Sequence, residues 1–413
     1  MRLCKKIKIE VSEQDAATLE WMQGKCRALY NWWIMGLRDG SKRWPGTNAA
    51  KKTLAQSRVY DPALDGVYGK LLQEVYFRLD GSMQGFFQRV HAGEQPGFPR
   101  VRPRHRFFTL IYPGMYLKIR GTTIELPTDG KGRHKRFPNV LATLTEMPPD
   151  GYGEVAVTRD AQGNYFCSFV YADGSPQPTR WKRKKHKHTK APAMRRTDGI
   201  VAFDLGIKEL ATGYTDAGRV YHIGGFKGYR YYNQQLDTLR AKRDRCKKKS
   251  RRYIKLSKKY QQVSAKKRRK QQDCHHKAAH LIASRLAESA VVVGDLSQRQ
   301  MVIPKQENET PKQRRKRKLR NRLIYNDWGL HSFMQMLAYK CERFGKALHV
   351  IDESYTSQRC HRCKRLQPMP LWKRTYRCPN CGLVMDRDEN SAINIYQRFI
   401  AGLRPHTGSG SSV

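Results

Sequence analysis

The sequence predicts a multidomain α+β protein, and three patterns along the chain support that fold class. Residues 107–173 read as short strands separated by glycine, proline and aspartate turns, which is typical of a small β-barrel. Residues 16–90 instead carry apolar side chains at helical spacing. The apolar run Ile200–Phe203, followed by Asp204, is typical of a buried strand and begins a separate α/β domain. A chain of 413 residues has room for about two to four domains.

The remaining elements follow in order along the chain. Residues 1–14 alternate apolar and polar side chains, which predicts a strand before the helical segment. Residues 182–196 contain eight Lys or Arg in fifteen positions and read as a basic linker between the barrel and the second domain. In the second domain we expect three further strands, Leu210–Tyr214, Ala290–Val293 and Ala347–Ile351, and two helices, Trp328–Phe344 and Ser391–Phe399.

The charge of the chain indicates a polyanionic partner. Its 81 Lys and Arg outnumber its 35 Asp and Glu, giving a formal net charge of +46. Such an excess excludes an ordinary metabolic enzyme acting on a small neutral substrate, because the compact state would repel itself without an accompanying polyanion. No stretch approaches the ~18 consecutive apolar residues of a membrane span, and the N-terminus does not read as a secretion signal. We therefore expect nucleic acid as the partner, no membrane association, and a cytoplasmic protein that is nucleoid-associated if prokaryotic.

Two runs of basic residues are the candidate nucleic-acid interface. Residues 240–270 hold seventeen Lys or Arg in thirty-one positions and predict a long exposed helix or helical hairpin, and residues 312–322 form a second run. A merely solvated helix face is the alternative, but such a face normally mixes charge signs, whereas 247–252 and 266–270 are nearly all cationic. The predicted nucleic-acid-binding residues are Lys184, Lys185, Lys247, Lys248, Lys249, Arg251, Arg252, Lys266, Arg268, Arg269, Arg315 and Arg317.

Four of the ten cysteines form a metal-binding pattern. They are Cys360, Cys363, Cys378 and Cys381, arranged as two Cys-x-x-Cys pairs. Two such pairs place four thiolates around one Zn²⁺, and four protein ligands leave no open position for catalysis. Gly382 follows the last cysteine and permits a tight turn. The sequence therefore predicts one structural zinc ion.

Acidic residues follow several predicted strands of the second domain. Asp204, Asp295 and Glu353 each come after a strand, and Asp388 precedes the last helix. Converging carboxylates suit a two-Mg²⁺ phosphodiesterase, because two ions ~4 Å apart activate water and stabilise the leaving oxygen. A lone Asp at a strand end is more often a turn or helix cap, so the combination carries this prediction.

The motifs of residues 199–400 resemble a known family. They are Phe203-Asp204-Leu205-Gly206, Trp328…Tyr339-Lys340, Tyr355-Thr356-Ser357-Gln358-x-Cys360-x-x-Cys363, Cys378-x-x-Cys381-Gly382 and Asp386-Arg387-Asp388-x-Asn390-x-Ala392-x-Asn394-Ile395. As a set they resemble TnpB, the transposon-associated RNA-guided DNA endonucleases that are related to compact type V CRISPR effectors. The resemblance implies a noncoding guide RNA, a double-stranded target DNA, two Mg²⁺ ions and one Zn²⁺ ion, and leaves open whether the chain acts as a monomer or an RNA-sharing dimer.

The resemblance also implies a domain order. A β-barrel (wedge) domain with an inserted helical recognition domain precedes a RuvC-type RNase H-like nuclease domain, which a zinc module interrupts. The implied boundaries are 1–15 and 96–181 for the wedge domain, 16–95 for the recognition domain, 199–355 and 383–403 for the nuclease domain, and 356–382 for the zinc-ribbon target-nucleic-acid-binding module. Composition adds a basic linker at 182–198 and a Gly/Ser-rich tail at 404–413 that we expect to be disordered.

One departure from the family puts catalysis in question. Relatives usually carry Glu-Asp-Leu at the end of the third strand, where this chain has Gly294-Asp295-Leu296. Asp295 is no simple substitute, because adjacent residues of a strand point to opposite faces. Either the chain has lost cleavage and acts as an RNA-guided DNA-binding repressor, or another carboxylate has taken over.

Glu353 is the candidate replacement, since some relatives carry this glutamate in a neighbouring part of the domain. Asp204, Glu353 and Asp388 are then the expected catalytic residues and magnesium ligands. Alternatively, Glu353 lies on a turn and pairs with a nearby Lys or Arg. A DNA transposase, which would need no guide, is a third candidate function.

Overall fold

The structure is a computed structural model, and it describes residues 2–54, 61–128, 137–172, 174, 199–296, 301–305, 307–370 and 373–403. The chain divides into two compact units, Met1–Gln177 and Pro178–Val413. The expected linker at 182–198 with Lys184 and Lys185, and the expected tail at 404–413, lie outside the described residues. The finer domain boundaries remain predictions.

The first unit combines one sheet with three α-helices in its described part. Its strands are β1 (Arg2–Val11), β2 (Leu110–Pro113), β3 (Lys118–Arg120), β4 (Thr123–Leu126), β5 (Val140–Leu144), β6 (Tyr152–Arg159) and β7 (Tyr165–Ala172), and its helices are α1 (Glu13–Arg38), α2 (Thr47–Lys52) and α3 (Gly69–His91). Short 3₁₀ turns occupy Pro62–Gly66 and Gly114–Tyr116.

The sheet of the first unit is antiparallel throughout, with the order β2-β6-β7-β1-β5-β4-β3. The N-terminal strand lies at its centre, and because successive side chains point to opposite faces, Ile7 and Ile9 are buried while their neighbours are not. The helices and the sheet share a single apolar core, in which Met22, Tyr76 and Phe169 are buried together. Within the described residues the order ends at β2 and β3, so the closed barrel remains a prediction.

The second unit contains a mixed sheet and long helices. Its strands are β8 (Ile200–Leu205), β9 (Glu209–Thr215), β10 (Val220–Gly224), β11 (Ala290–Gly294), β12 (Ala347–Ile351), β13 (Thr375–Arg377) and β14 (Val384–Asp386), and its helices are α4 (Tyr229–Asp244), α5 (Arg251–Leu281), α6 (Pro311–Arg322), α7 (Leu330–Arg343) and α8 (Arg387–Leu403). π-helical turns, Ile282–Leu286 and Leu323–Asp327, follow α5 and α6.

The main sheet of this unit has the order β10-β9-β8-β11-β12. The first three strands pair antiparallel, whereas β8, β11 and β12 run parallel. Because side chains alternate along a strand, β8 covers two cores. Its even-numbered residues, such as Ala202, pack with Ile395 and Phe399 of α8, and its odd-numbered residues pack with Phe333 and Leu337 of α7.

The structure agrees with most of the elements expected from the sequence. It confirms the mixed α+β class, and β12 has the expected bounds. Strand β5, however, has no counterpart in the sequence prediction. The helix expected to start at Trp328 starts at Leu330, because Gly329 adopts a left-handed conformation with φ of 67°. No helix in the described ranges is long and apolar enough to cross a membrane.

Candidate active site and zinc centre

Asp204 and Gly294 are neighbours at one edge of the mixed sheet. Strands β8 and β11 are parallel and in register, with Val293 paired to Phe203, so Gly294 comes beside Asp204. Residues beside one another on parallel strands face the same side of the sheet. That side is the one covered by α8, because Ala202 and Val292, two residues earlier, both pack in the α8 core.

The side chain of Glu353 fills the space that a side chain at position 294 would occupy. A Cβ atom built on Gly294 would lie 1.9 Å from Oε2 of Glu353 and 2.8 Å from its Cβ. Real Cβ atoms essentially never come so close to another atom. Gly294 is therefore compatible with Glu353, and any larger residue at 294 requires Glu353 to move. Oε2 of Glu353 is buried and has no hydrogen-bond partner among the described residues.

The electrostatics of this edge favour a bound cation. Burial, followed by the charges of Asp295 and Asp352, raises the pKa of Glu353 to about 7. Burial also raises the pKa of Asp204 well above its usual range, and the negative charges of Glu353 and Asp388 raise it further. Glu353 and Asp388 therefore lie close enough to Asp204 to act on its charge, and a bound cation would offset this repulsion.

Asp388 lies in the first turn of α8 and is bound by two arginines. Nη1 of Arg374 donates to its Oδ2 at 3.0 Å, and Nη2 of Arg387 donates to its Oδ1 at 3.0 Å. The backbone N–H of Asp388 donates to Oδ1 of Asp386 at 2.7 Å, so Asp386 caps the helix. The structure thus brings Asp388 towards the sheet edge, but with its carboxylate engaged.

The three carboxylates are not as closely grouped as the cysteines. Within the part of the chain that is described, the cysteine cluster is the only set of three or more His, Cys, Asp or Glu whose ligand atoms all lie within 4.8 Å of one another. Asp204, Glu353 and Asp388 are coupled through their charges but do not form such a set. Their catalytic roles therefore belong to the proposal below.

The four cysteines have the geometry of a tetrahedral metal site. Sγ of Cys360 lies 3.6 Å from Sγ of Cys381, and Sγ of Cys363 lies 3.5 Å from Sγ of Cys378. Zinc–sulfur bonds of about 2.3 Å in a tetrahedron separate the sulfurs by about 3.8 Å. The cluster can therefore hold Zn²⁺ with little movement, as the spacing in the sequence predicts.

The two halves of the cluster have the same backbone geometry. The N–H of Lys364 donates to the carbonyl of Cys360 at 3.0 Å, and the N–H of Gly382 donates to the carbonyl of Cys378 at 3.1 Å. Lys364 and Gly382 both have positive φ, 62° and 68° respectively. The tight turn expected at Gly382 is confirmed. Each pair of cysteines thus forms a knuckle closed by a left-handed residue.

Two asparagines connect the first knuckle to α8, a role that the sequence did not predict. Asn390 Nδ2 donates to the carbonyl of Arg359 at 2.8 Å, and its Oδ1 accepts the N–H of His361 at 3.0 Å. Asn394 Nδ2 donates to the carbonyl of Thr356 at 2.9 Å. Their spacing of one helical turn was the available signal, since it places both amides on one face of α8.

Most of the predicted nucleic-acid-binding residues are exposed. Those on the α4–α5 hairpin and on α6 that lie in solvent are Lys247, Lys248, Lys249, Arg251, Arg252, Lys266, Arg268, Arg269 and Arg315. Arg317 differs, because its guanidinium forms a two-pronged ion pair with Glu309, with Nη2 2.9 Å from Oε2. Its side chain is only 15% exposed, so it presents no free guanidinium.

The first unit also contains a groove rich in arginine that the sequence did not predict. It has a volume of about 1140 Å³. Arg78, Gly81, Gly85 and Arg89 line it from one face of α3, and no atom lies within 4 Å of a Cβ built on either glycine. The extended segment 99–109 adds further arginines, among them Arg102. The helical spacing of the four α3 residues was the signal that could have revealed the groove.

Two family models match parts of this chain. A model described as "Cas12f1-like, TNB domain" matches residues 331–395, and a model of the OrfB_IS605 family, described as "Probable transposase", matches residues 180–303. A mimivirus protein named TnpB-like is 28% identical over 136 residues, which are 33% of this chain and 24% of the relative. The predicted resemblance to TnpB is confirmed.

Similarity to known proteins extends beyond these segments. A protein of Mycobacterium tuberculosis, provisionally named an RNA-guided DNA endonuclease, is 24% identical over 93% of this chain and 84% of its own length. Among solved structures, CasPhi-2 (Cas12j) bound to crRNA covers 99% of both chains with a TM-score of 0.54 and 11% identity, which shows a similar fold. The segments that the two family models match contain the candidate residues: one includes Asp204 and Gly294, and the other includes Glu353 and Asp388.

Proposed function

We propose that this protein is an RNA-guided DNA endonuclease of the TnpB type, with a RuvC-type nuclease site formed by Asp204, Glu353 and Asp388. The observation that carries the proposal is the position of Glu353, whose carboxylate stands where a side chain at 294 would stand, beside Asp204. The glutamate that relatives carry on β11 is then supplied by the segment after β12.

The mixed sheet supports a RuvC-type nuclease domain. Its parallel strands β8, β11 and β12 end at the same edge, and the acidic residues of the sheet lie at or directly after those ends. In sheets with parallel strands, functional residues gather at the carboxyl ends. Helix α8 then adds Asp388 from the face that Asp204 occupies.

The residues present fit magnesium. Carboxylate oxygens are the ligands that Mg²⁺ prefers, and the buried Oε2 of Glu353 lacks a partner among the described residues. Two bound ions would supply water activation and charge stabilisation at the leaving oxygen of a DNA phosphodiester. Asp204 and Glu353 would bind from the sheet edge, and Asp388 would bind after Arg374 and Arg387 release its oxygens.

Guide RNA and double-stranded target DNA are the proposed partners. Relatives named RNA-guided DNA endonucleases support this choice, as do the exposed cations of the α4–α5 hairpin. We propose that the groove lined by Arg78 and Arg89 binds a phosphodiester backbone, because its two glycines leave room for close approach. Pairing with the guide would select the target sequence. We further propose one structural zinc ion at the four cysteines.

An exchange of residues between positions 294 and 353 tests the proposed nuclease site. With guide RNA and Mg²⁺, Glu353→Ala should lower cleavage of a matched plasmid at least ~100-fold, the scale expected when a metal ligand or its support is lost. Gly294→Glu alone should also lose cleavage, because the new side chain overlaps Glu353. The double variant, Gly294→Glu with Glu353→Ala, should recover measurable cleavage.

Glu146→Ala is the matched control for this exchange, because Glu146 is an exposed glutamate, paired with Lys5, whose charge does not act on Asp204 or Glu353, and the change should leave cleavage unchanged. Cleavage by Glu353→Ala at the parental rate would overturn the proposed site. Failure of the double variant, with its target binding intact, would show that Glu353 acts in another way than by replacing the missing glutamate.

A guide-dependent DNA-binding protein without cleavage is the second candidate. The observation that favours it is the engagement of Asp388 by Arg374 and Arg387, which neutralises one of three proposed ligands. Target binding by the RNA-loaded parent without cleavage in Mg²⁺ would support this candidate. Copurification of one defined RNA would argue against a DNA transposase, which needs no guide.

A further inference from the structure

A cavity in the unit 178–413 has none of the three acidic residues of the proposed nuclease site in its lining. It has a volume of about 290 Å³ and lies between the turn after β8, the segment joining β10 to α4, and the π-helical turn after α6. Its volume is at the lower end of the range for small-ligand sites, about 300–1,000 Å³. A cavity of this size accepts one nucleotide and excludes a duplex.

Cationic residues surround the cavity. Lys208, Lys227 and Arg230 line it, and both lysines are exposed and form no ion pair within the described ranges. The acidic residue in the lining, Asp327, is already bound by Lys267 and by Nδ2 of Asn233 at 2.6 Å. Helix α4 begins at Tyr229 in the same lining, so the N–H groups of its first turn add a favourable field for an anion.

Trp328 is a residue of the lining with an unsatisfied polar group. It lines the cavity and is only 5% exposed, yet its Nε1–H has no acceptor among the residues described. Buried indole N–H groups normally have a partner, because leaving one unsatisfied costs free energy. Trp328 directly follows the π-helical turn Leu323–Asp327, and such turns are frequent at functional sites.

Aromatic rings supply a surface for a base. Phe226 and Tyr229 line the cavity, and Phe226 is stacked on Tyr232 with ring centroids 6.1 Å apart and planes 28° apart. Aromatic faces bind unpaired bases by stacking, with little preference for sequence. The lining of this cavity therefore combines cations that suit a phosphate, aromatic rings that suit a base, and an N–H group without an acceptor.

We propose that this cavity binds one nucleotide of an unpaired nucleic-acid strand. The phosphate lies at Lys208, Lys227 and the start of α4, the base packs against Phe226 or Tyr229, and a base or sugar acceptor takes the N–H of Trp328. The identity of the strand rests on the proposed function: it is the guide RNA or the displaced DNA strand. Binding of the nucleotide itself does not depend on cleavage.

Titration of the full-length Asp388→Ala protein with 5′-AMP and 5′-UMP, followed by calorimetry, tests the cavity. At least one nucleotide should bind at a one-to-one ratio, and the matching nucleoside or inorganic phosphate alone should bind at least ~10-fold more weakly, because each lacks one half of the contacts. Trp328→Phe keeps an aromatic ring but removes the N–H and should weaken nucleotide binding about 5-fold, the value of one hydrogen bond. Lys227→Gln alters an exposed residue and should weaken the binding of the nucleotide but not that of the nucleoside.

Trp33→Phe is the matched control, because Trp33 is another buried tryptophan whose Nε1–H has no acceptor in the described part of the chain. Trp33 lies in the unit 1–177, so the Trp33→Phe variant should bind nucleotide as the parent does. The absence of saturable binding by both nucleotides, or equal weakening by Trp33→Phe and Trp328→Phe, would overturn the proposal.

Photocrosslinking identifies the strand. An RNA and a DNA oligonucleotide, each with one 4-thiopyrimidine, should crosslink to a peptide of the cavity lining, and the stronger of the two shows which strand occupies the site. Crosslinks of both strands only outside the lining would contradict the assignment. The protein used in these tests carries Asp388→Ala and does not need to cleave DNA. A failure to bind nucleotide would therefore leave the cleavage test at residues 294 and 353 valid, and a failure of that cleavage test would leave the nucleotide-binding test valid.

Discussion

Glu353 and Gly294 illustrate how one residue can supply a side chain that another lacks. Ala347 and Ile351 of β12 pack in the α8 core, and the ring of His349 lies 4.8 Å from that of Phe399 of α8, measured between centroids. Continued alternation places position 353 on the same side. Once β12 is placed in the sheet, the sequence position of Glu353 decides the side of the sheet on which it lies. Packing then decides that its side chain fills the space of a Cβ atom at Gly294.

The half-buried ring of His349 predicts a pH-dependent stability. Burial lowers its pKa below the ordinary value of 6.5, and its Nε2 has no partner among the described residues. The unfolded chain therefore binds more protons than the folded chain below pH 6.5, and stability falls as the pH decreases through that value. His349→Phe cannot take up this proton. The free energy of unfolding of the variant, relative to that of the parent, should therefore rise as the pH is lowered from about 7.5 to about 5.5.

Urea denaturation of the parent and of His349→Phe at several pH values measures this difference. The relative gain should approach but not exceed about 1.4 kcal/mol per pH unit, the slope for one proton. A difference in unfolding free energy that stays constant across the range would show that His349 does not titrate as its burial implies.

At the level of elements, a buried polar network fixes the basic hairpin in place. Lys267 of α5 forms an ion pair with Asp327 and donates to Oδ1 of Asn233 on α4 at 2.7 Å. Arg322 of α6 donates to the same Asn233 oxygen at 3.0 Å. Three helices are thus joined by charged hydrogen bonds, and the exposed cations of the hairpin are held on a rigid support.

Loss of Asp327 should destabilise this network strongly. The Asp327 side chain is 2% exposed and that of Lys267 is 12% exposed, so Asp327→Ala leaves an uncompensated charge in a buried site. The expected cost is about 3–5 kcal/mol, and replacing both partners, as Lys267→Met with Asp327→Leu, should restore much of it. Urea midpoints and hydrogen exchange in α5 measure the effect.

Asp244→Ala provides the comparison for this prediction. Its side chain is 53% exposed, and its ion pairs with Arg240 and Arg243 lie at the surface, where the expected cost is below about 1 kcal/mol. Equal destabilisation by Asp327→Ala and Asp244→Ala would show that the buried network carries no special stability.

The four-cysteine cluster is connected to the proposed nuclease site through α8. Asn390 and Asn394 hold the segment before the first knuckle, while Asp388 lies within one turn of Asn390 on the same helix. Arg374, which binds Asp388, directly precedes β13 of the zinc module. A structural metal can therefore influence the position of a proposed catalytic carboxylate without touching it.

At the scale of the whole molecule, the net charge of +46 should couple stability to nucleic acid. Excess charge destabilises the compact state by self-repulsion, and a ligand that binds only the folded chain stabilises it by mass action. Saturating guide RNA should raise the thermal midpoint by about 5–10 °C at low salt, and by less in about 0.5 M NaCl.

Differential scanning fluorimetry measures this shift, with dextran as an uncharged control polymer that should leave the midpoint unchanged. A midpoint that RNA does not alter at low salt would contradict the coupling. A shift that is equal at low and high salt would instead indicate binding that does not depend on charge.

The sequence by itself determined the features that depend on local spacing. The cluster of four cysteines, the buried strands β8, β11 and β12 and the basic hairpin could be predicted, because ligand spacing, apolar runs and charge are properties of short segments. Strand β5 was missed, since its partners β1 and β4 are distant or short and only pairing defines it.

Only the tertiary structure decided which distant side chains meet. Three such contacts are not revealed by local spacing: Glu353 fills the space over Gly294, Glu309 engages Arg317, and Trp328 lines a cavity together with Lys208 and Lys227. Such contacts follow from how helices, strands and loops pack against one another, because packing fixes positions to within an ångström and local residue preferences do not.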